Sequence, residues 1–283
     1  MTLLTHGPGP RTRTAPTGPV GHKVPARPGA PAGPGRPSAA TSAARTGTTA
    51  SGLTDTLLLG PLPATALALC RLDEPHVPVT LHPEERRLAG ALPPARRPDF
   101  IAGRTAAARA LGALGIGGPV LRDGRRPVFP AGVRGSISHC VGHIGVSLVS
   151  VHPRVIATGT DLERTDRLGP DAARLVCTPH EREWVRRARR PESRLSVVFS
   201  AKEAVYKALS ALGTPAPVFH DVELRVADGR LHAHVARGLL PAGCRLIGWV
   251  RLLPGNHVMT SVAVLSDGGR PGGETTVASF DVL

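Results

Sequence analysis

The chain has 283 residues, of which 41% are hydrophobic and only 3% aromatic, so one large domain or two small ones with a mainly aliphatic core can form. The formal charge is +14; residues 1–52 contribute +6 of it and contain no acid, which leaves +8 for the rest. A basic surface favours an anionic partner, either a phosphorylated small molecule, an acidic protein, nucleic acid or a membrane surface.

Membrane-spanning and disulfide-stapled classes have no support in the composition. No apolar stretch approaches the roughly 18 residues of a membrane span. Four cysteines are too sparse for a disulfide framework and lack metal-ligand spacing, so we expect reduced thiols in a cytoplasmic protein.

The N-terminal half predicts a tail and then two helices. Residues 1–52 are dominated by Pro, Gly, Ala, Thr and Arg without any period, so we expect a disordered tail. Residues 83–92 predict a short helix, with proline early and acids in the first turn. Residues 99–114 predict a longer helix from their apolar spacing, ended by Gly115.

Strands and two further helices follow. Residues 135–139, 144–151 and 155–162 predict three strands separated by turn signals. A helix is expected after Thr178, where a threonine N-cap, a proline and a glutamate occur in the favoured order. The same logic predicts another helix, starting after Ser200.

This last helix is expected to run to about Leu212. Four β-rich segments then close the fold, and residues 266–283 are expected to be a loose tail. Two successive αβ blocks, 53–157 and 158–265, predict an α+β fold with two similar lobes. The four β-rich segments are 221–227, 231–236, 245–253 and 257–265.

Two carboxylates lie two residues apart at the end of a predicted strand. Side chains alternate along a strand, so Asp161 and Glu163 share one face. Such a pair repels itself unless a cation or proton lies between, and Mg²⁺ fits. The plainer interpretation is a solvated strand end, neutralised by Arg164 and Arg167.

The segment from Phe199 to Leu209 also has two interpretations. Structurally, Ser200 and Glu203 form a capping box, and Glu203 and Lys207 form an ion pair one turn apart. Chemically, the same base and cation could flank one phosphate.

Further phosphate-binding candidates precede these motifs. Ser138 and His139 lie at a predicted strand end after the cationic dipeptide Arg125-Arg126, while Arg96 and Arg104 belong to the arginines around the helix at 99–114. Small hydroxyls and guanidinium groups suit phosphate. A lone histidine is more often part of the core, and helix arginines are usually solvated.

The order and spacing of these motifs resemble the 4'-phosphopantetheinyl transferase superfamily, in its monomeric two-lobed, Sfp-like class. The resemblance covers about residues 96–221. It is carried by Arg126-Pro127 with Phe129-Pro130, Gly135-Ser136-Ile137-Ser138-His139-Cys140, Gly159-Thr160-Asp161-Leu162-Glu163, and Phe199-Ser200-Ala201-Lys202-Glu203 with Lys207.

The resemblance implies a magnesium-dependent enzyme that moves the phosphopantetheine arm of coenzyme A to a serine of an apo acyl or peptidyl carrier protein. Asp161, Glu163 and Glu203 look like the metal ligands, and the product would be adenosine 3',5'-bisphosphate. Glu203 looks like the general base. Lys207 would neutralise the diphosphate, and Asp161 completes the catalytic group.

Coenzyme contacts also follow from the resemblance. Ser138 and His139 look like contacts to the 3'-phosphate and adenine side, with Arg96, Arg104 and Arg126 as further phosphate contacts. The family implies a monomer that needs neither nucleic acid nor membrane.

Two rivals remain. The charge of +14 also suits a nucleic-acid-binding protein, although the body lacks zinc spacing and aromatics for base stacking. A scaffold that binds coenzyme A without transfer is the other, against which the intact acidic and lysine set speaks.

Overall fold

The computed structural model describes residues 57–59, 62–72, 81–213, 217–227, 230–266 and 277–282. These residues belong to one compact unit, Ala43–Leu283. The predicted disordered tail therefore lies outside the described residues. In the ranges given, no helix combines the length and apolar character needed to cross a bilayer.

The described strands and helices alternate along the chain. The strands are β1 (Leu57–Leu59), β2 (Thr65–Arg71), β3 (Leu121–Asp123), β4 (Arg126–Val128), β5 (Arg134–Cys140), β6 (Ile144–Ser150), β7 (Val155–Arg164), β8 (Val222–Ala227), β9 (Arg230–Val235), β10 (Cys244–Leu253), β11 (His257–Ser266) and β12 (Val277–Val282). The helices are α1 (Pro83–Gly90), α2 (Arg97–Ala113), α3 (Ala172–Val176), α4 (Pro179–Arg186) and α5 (Pro191–Ser210), with short 3-10 turns at Pro94–Arg96 and Phe219–Asp221.

Two main sheets and one small hairpin organise these strands. The first sheet has the order β1-β2-β6-β5, and the second has the order β7-β11-β10-β12-β9-β8. Neighbours are antiparallel except β10 and β12, which are parallel. The hairpin β3–β4 belongs to neither main sheet. The α+β class expected from the sequence is confirmed.

One arrangement recurs in both halves. In each, a strand is followed by a long helix and then a hairpin, and the first strand pairs antiparallel with the second hairpin strand. The first half uses β2, α2 and β5–β6, and the second uses β7, α5 and β10–β11. The predicted division between residues 157 and 158 falls inside β7, and as a domain boundary it stays a prediction.

A glycine lets each long helix approach its sheet closely. Gly145 on β6 faces the backbone of Ala102 in α2, and Gly159 on β7 faces the backbone of Ala204 in α5. Small residues on the helices complete these contacts, since the core-facing positions of α2 are largely alanine. The aliphatic core expected from the composition therefore rests partly on backbone-to-backbone proximity.

Helix α5 corrects one prediction. It begins at Pro191, with Pro at the first position and Glu192 in the first turn, and it ends at Ser210. Ser200 is therefore inside the helix and caps nothing; its buried hydroxyl donates to Thr260 Oγ1 at 3.1 Å. The local capping pattern misled because a proline upstream had already started the helix.

The remaining predictions hold with small shifts of boundaries, apart from the C-terminus. The helices at 83–92 and 99–114, the helix after Thr178, the three strands and the four β segments are present. The expected loose tail contains β12, which lies between β9 and β10; the rest of residues 267–283 falls outside the described residues.

We expect Gly159→Ala to lower the free energy of unfolding by about 3 kcal/mol, in the range of core overpacking. The added methyl group would collide with the Ala204 carbonyl and lie 2.9 Å from the Ala208 nitrogen. Gly112→Ala is the matched control, because that site is open and lies in helix α2. It should be neutral or stabilising by up to ~1 kcal/mol. Urea unfolding of both variants measures the difference; equal effects would contradict the packing argument.

Candidate active site

The candidate site lies along the seam where the two sheets meet. Strand β5 is the edge of the first sheet and β7 the edge of the second, and the two run beside each other without sharing a ladder. Serine hydroxyls join them: Thr160 N donates to Ser136 Oγ at 3.1 Å, and Ser138 Oγ donates to Asp161 Oδ1 at 2.9 Å. The small polar residues of the two strands are therefore structural parts of the seam.

Asp161 is the most buried carboxylate of this seam, with only 4% of its surface exposed. Its Oδ1 accepts hydrogen bonds from Ser138 and from Lys207 Nζ, the latter at 2.7 Å. Its Oδ2 is also buried but has no hydrogen-bond partner among the described residues. A buried anionic oxygen without a partner is costly, so this atom is chemically suited to a cation.

Lys207 reaches the seam from helix α5. Its ammonium donates to Asp161 Oδ1, to Ser138 Oγ at 2.9 Å and to the Thr160 carbonyl at 3.1 Å. The predicted ion pair within the helix, between Lys207 and Glu203, is therefore wrong; the lysine pairs with the neighbouring strand instead. The predicted convergence of Asp161 and Lys207 on one place is confirmed.

Two further carboxylates lie near this pair. Burial, reinforced by the negative charge of Asp161, raises the pKa of Glu163 to about 7. Burial also raises the pKa of Glu203; Lys207 opposes the shift and Asp161 adds to it. The surroundings of both carboxyl groups thus disfavour their ionised forms. A bound cation would offset this effect.

The three predicted metal ligands are not gathered around one point. Among the described residues, no three His, Cys, Asp or Glu side chains are close enough to hold a metal ion. Their chemistry nevertheless fits a hard cation. The donors are carboxylate oxygens, and the buried Oδ2 of Asp161 has no partner in the described part of the chain.

A basic cleft of about 560 Å³ opens beside the seam, on the side of helix α2. The predicted residues Arg96, Arg104 and His139 line it. Arg126 does not, and it is exposed on β4. Two other arginines of the β3–β4 hairpin line the cleft in its place, Arg122 and Arg125.

Of these two arginines, Arg122 was missed in the sequence, whereas Arg125 was noted only as part of the cationic dipeptide Arg125-Arg126. The dipeptide Asp123-Gly124 is a strong hairpin signal, and using it would have placed Arg122 and Arg125 on either side of one tight turn. The hairpin is held in part by Arg122 Nε, which donates to the Gly124 carbonyl at 2.8 Å.

Arg104 is held rigidly in the wall of this cleft. Its Nη2 donates to the Leu121 carbonyl at 2.9 Å, and its guanidinium lies 4.6 Å from the centre of the Phe100 ring. Burial lowers the pKa of Arg104 to about 10, partly offset by Glu85, yet the group stays charged near neutral pH. Its buried Nε has no partner among the described residues, which suits an incoming anion.

His139 shares an acidic partner at the rim of the cleft. Its Nδ1 lies 3.9 Å from Asp99 Oδ2, and His143 Nδ1 lies 3.0 Å from Asp99 Oδ1. Burial lowers the pKa of His139, and Asp99 opposes this shift. Sequence reasoning did not single out Asp99, because no local pattern links it to the strand that carries His139.

A second, mainly apolar pocket of about 250 Å³ is lined in part by Glu203. It is formed by helix α5 and by the segment that leads into β8. Its lining residues are Lys202, Glu203, Tyr206, Pro217, Val218, Phe219 and Val222. No sequence motif pointed to it, since its walls come from two distant segments.

Cysteine chemistry has no part in the site. Cys140, at the end of strand β5, is the cysteine nearest the seam. Burial raises the pKa of Cys140 to about 12, with further contributions from Glu163 and Asp161. A thiol with such a pKa is not a nucleophile near neutral pH.

Comparisons with known proteins identify the family of the chain. The family model of the 4'-phosphopantetheinyl transferase N-terminal domain matches residues 83–149, and that of the 4'-phosphopantetheinyl transferase superfamily matches residues 157–239. The chain is 36% identical to 4'-phosphopantetheinyl transferase Svp of Streptomyces mobaraensis, over 70% of this chain and 84% of that protein. It is 31% identical to enterobactin synthase component D of Salmonella typhi, over 65% of this chain and 78% of that protein.

A third relative is 4'-phosphopantetheinyl transferase PptT of Mycobacterium tuberculosis, 35% identical over 54% of this chain and 70% of that protein. Among solved structures, holo-[acyl-carrier-protein] synthase of Thermotoga maritima matches 40% of this chain and 64% of that chain, with 20% identity and a TM-score of 0.33. The extent of the Svp match, and two family models on successive parts of the chain, establish the relationship. The chain belongs to the 4'-phosphopantetheinyl transferase superfamily and is an enzyme of that family.

Proposed function

We propose that the protein transfers the 4'-phosphopantetheine arm of coenzyme A to a serine of an apo carrier protein, using Mg²⁺ and releasing adenosine 3',5'-bisphosphate. One observation carries this proposal. A buried carboxylate with a free oxygen, Asp161, is paired with Lys207 directly beside a cleft lined by four arginines. The ammonium of Lys207, the carboxylate of Asp161 and the phosphate-binding arginines thus lie next to one another, as transfer from a diphosphate requires.

The arginine cleft is the proposed place of the coenzyme's phosphates. Arg96 and Arg104 enter from the α2 side, and Arg122 and Arg125 from the hairpin. Guanidinium groups bind phosphate through paired hydrogen bonds. His139 lines the same cleft and is a proposed contact on the nucleotide side. Ser138 precedes it in β5, and its hydroxyl is hydrogen-bonded to Asp161 and Lys207. Arg126 lies outside the cleft lining.

Asp161, Glu163 and Glu203 are the proposed metal ligands; because the three side chains do not surround one point in this structure, binding of the ion would have to draw them together. Bound there, Mg²⁺ would neutralise the diphosphate and stabilise charge on the oxygens around the attacked phosphorus. The unpartnered Oδ2 of Asp161 and the raised pKa values of the two glutamates support a cation at this place.

The chain's own side chains account for the proton and the leaving group. Glu203 accepts the proton of the carrier serine, directly or through water, as the serine oxygen forms a bond to the β-phosphorus. The bond from this phosphorus to the bridging oxygen breaks. Lys207 stabilises the negative charge that the departing bisphosphate takes away.

The apolar pocket beside Glu203 fits the pantetheine arm, which is a largely uncharged chain. The pocket opens where the proposed base lies, and Tyr206 and Val218 form part of its partly exposed rim. An arm lying there would keep its phosphate end near Glu203 and Lys207.

Carrier docking is proposed next to this rim. Helix α3 follows the metal-binding strand, contacts helix α5 and exposes 74% of Leu175. Arg174 and Arg182 are exposed close by. An exposed apolar side chain flanked by arginines complements an acidic helical carrier domain.

We further propose that the protein acts as a monomer in the cytoplasm. Both halves of the site come from one chain, on the edges of the two sheets. Four cysteines are too few for a disulfide framework, which suits a reducing compartment.

Asp161→Asn should lower kcat/KM by at least about 10²-fold, because it removes the charge that faces both Lys207 and the metal. The readout is the mass gain of an apo carrier protein incubated with coenzyme A and Mg²⁺. Asp166→Asn is the control, since that carboxylate is exposed and pairs with Arg164. EDTA should abolish the transfer and excess Mg²⁺ restore it. Transfer that survives EDTA would contradict the metal.

Arg96→Gln should raise the KM for coenzyme A about tenfold and change kcat little, as expected for one lost charge-assisted hydrogen bond in the bound ground state. Arg134→Gln, an exposed arginine outside the cleft lining, serves as the control. Repeating the measurement with 3'-dephospho-coenzyme A shows which phosphate Arg96 binds. If Arg96 binds the 3'-phosphate, the variant's rise in KM disappears with this substrate; if it binds the diphosphate, the rise in KM persists. An unchanged KM would remove Arg96 from the site.

Leu175→Asp should raise the KM for the carrier protein roughly tenfold, a loss of about 1.4 kcal/mol in binding, and leave the KM for coenzyme A unchanged. The new carboxylate both deletes apolar contact and repels an acidic partner. Leu252→Asp is the matched control, because Leu252 is similarly exposed but lies on β10. Equal effects of the two variants would argue against docking at α3.

A further inference from the structure

Lys202, the residue before the proposed base, is wholly buried and fully hydrogen-bonded. Only 1% of its side chain is exposed. Its ammonium donates to the Val176 carbonyl at 2.8 Å, the Phe219 carbonyl at 2.9 Å and Glu181 Oε2 at 2.7 Å. An ammonium has three hydrogen-bond donors, so each one is used inside the protein. The ammonium of Lys202 is therefore unavailable to substrate. It acts through the groups that it binds, Glu181 and the two carbonyls.

Its acidic partner, Glu181, is equally enclosed. Glu181 is the third residue of α4, and its Oε2 accepts from the backbone of the N-cap, Thr178, at 2.7 Å. Its Oε1 accepts from Leu224 N on β8 at 2.6 Å. The Lys202–Glu181 pair thus connects the end of α3, the start of α4, helix α5, the 3-10 turn at Phe219 and strand β8.

The first half of the chain contains the same capping motif without the lysine. Glu85 is the third residue of α1; its Oε2 accepts from His82 N at 3.0 Å and its Oε1 from Val120 N at 2.8 Å. The following arginine of each motif, Arg86 or Arg182, donates to the carbonyl of the residue before the cap.

The comparison separates two roles of the glutamate. Glu85 joins a cap to Val120, the residue before β3, and forms no ion pair among the described residues, so the capping motif folds without a buried ammonium. The bond from Lys202 to Glu181 is an addition. Buried ion pairs are weak sources of net stability, and apolar replacements of both partners are often neutral or better. Stability alone therefore does not explain the pair.

What the pair fixes is the part of helix α5 that carries the proposed base. Lys202 precedes Glu203 directly, and Phe219, whose carbonyl Lys202 holds, lines the same apolar pocket as Glu203. Lys207, one helical turn after Glu203, is bound to Asp161 on β7, the edge strand of the second sheet. The helix is thus held on two sides, by Lys202 and by Lys207, and Glu203 lies between them in the sequence.

We propose that Lys202, held by Glu181, is a positioning residue that sets the placement of Glu203 between the apolar pocket and the Asp161–Lys207 pair. This inference rests on the proposed function, in which Glu203 is the base. A small displacement of a reacting group can cost on the order of 10²-fold in rate. The loss is expected mainly in kcat, because the charged phosphates of the coenzyme are proposed to bind in the arginine cleft, which is lined by other segments.

The experiment separates positioning from stability. Lys202→Met leaves Glu181 as an unpaired buried charge and should lower the Tm by roughly 10 °C. The double variant Lys202→Met, Glu181→Gln removes both charges and should recover most of that loss. Its kcat should nevertheless stay about 10²-fold below wild type, with the KM for coenzyme A within about threefold. Both constants are measured with the full chain, Mg²⁺ and saturating carrier.

Glu85→Gln is the matched control, because it places an amide in the same capping geometry of the first half. Its kcat should equal that of wild type. Recovery of kcat together with Tm in the double variant would overturn the proposal, and so would an equal loss of kcat in Glu85→Gln. Wild-type turnover is the reference: if the wild-type protein modifies no carrier, the proposed function fails, and that outcome is distinct from a recovered kcat.

Discussion

The buried carboxylate of Asp161 is the interaction on which the rest of the site depends. It lies at the edge of one sheet, accepts a hydrogen bond from a serine at the edge of the other, and pairs with a lysine from the long helix of its own half. One anionic group therefore joins three elements that are distant in sequence. Because one oxygen of this carboxylate has no partner in the described part of the chain, the same group that assembles the seam also offers an oxygen suited to the proposed cation.

Charge is divided between two neighbouring regions. Positive side chains of the first half line the cleft, whereas the carboxylates and Lys207 belong to the second half. In the proposed mechanism, the first region attracts the polyanionic substrate and the second receives its reactive phosphorus. Recognition and chemistry would then be carried by different halves of the chain, which meet at a seam of small hydroxyl side chains that let the two strands approach.

Sequence patterns predicted what depends on nearest neighbours and missed what depends on packing. The cap at Thr178 and Glu181 was found because its partners lie three residues apart. The same pattern at Ser200 failed, because whether a serine starts a helix depends on what precedes it. The pairing of Lys207 with Asp161 joins residues 46 apart, and no periodicity encodes it. The resemblance to a family supplied the convergence of these two residues that spacing could not.

The hairpin β3–β4 has a consequence for how this enzyme can change. It supplies two of the four cleft arginines yet is hydrogen-bonded into neither main sheet, and its strand residues are largely exposed. Substitutions there do not have to fit a packed interior. Coenzyme preference can thus drift, or be engineered, in a short surface ribbon while the catalytic seam stays as it is.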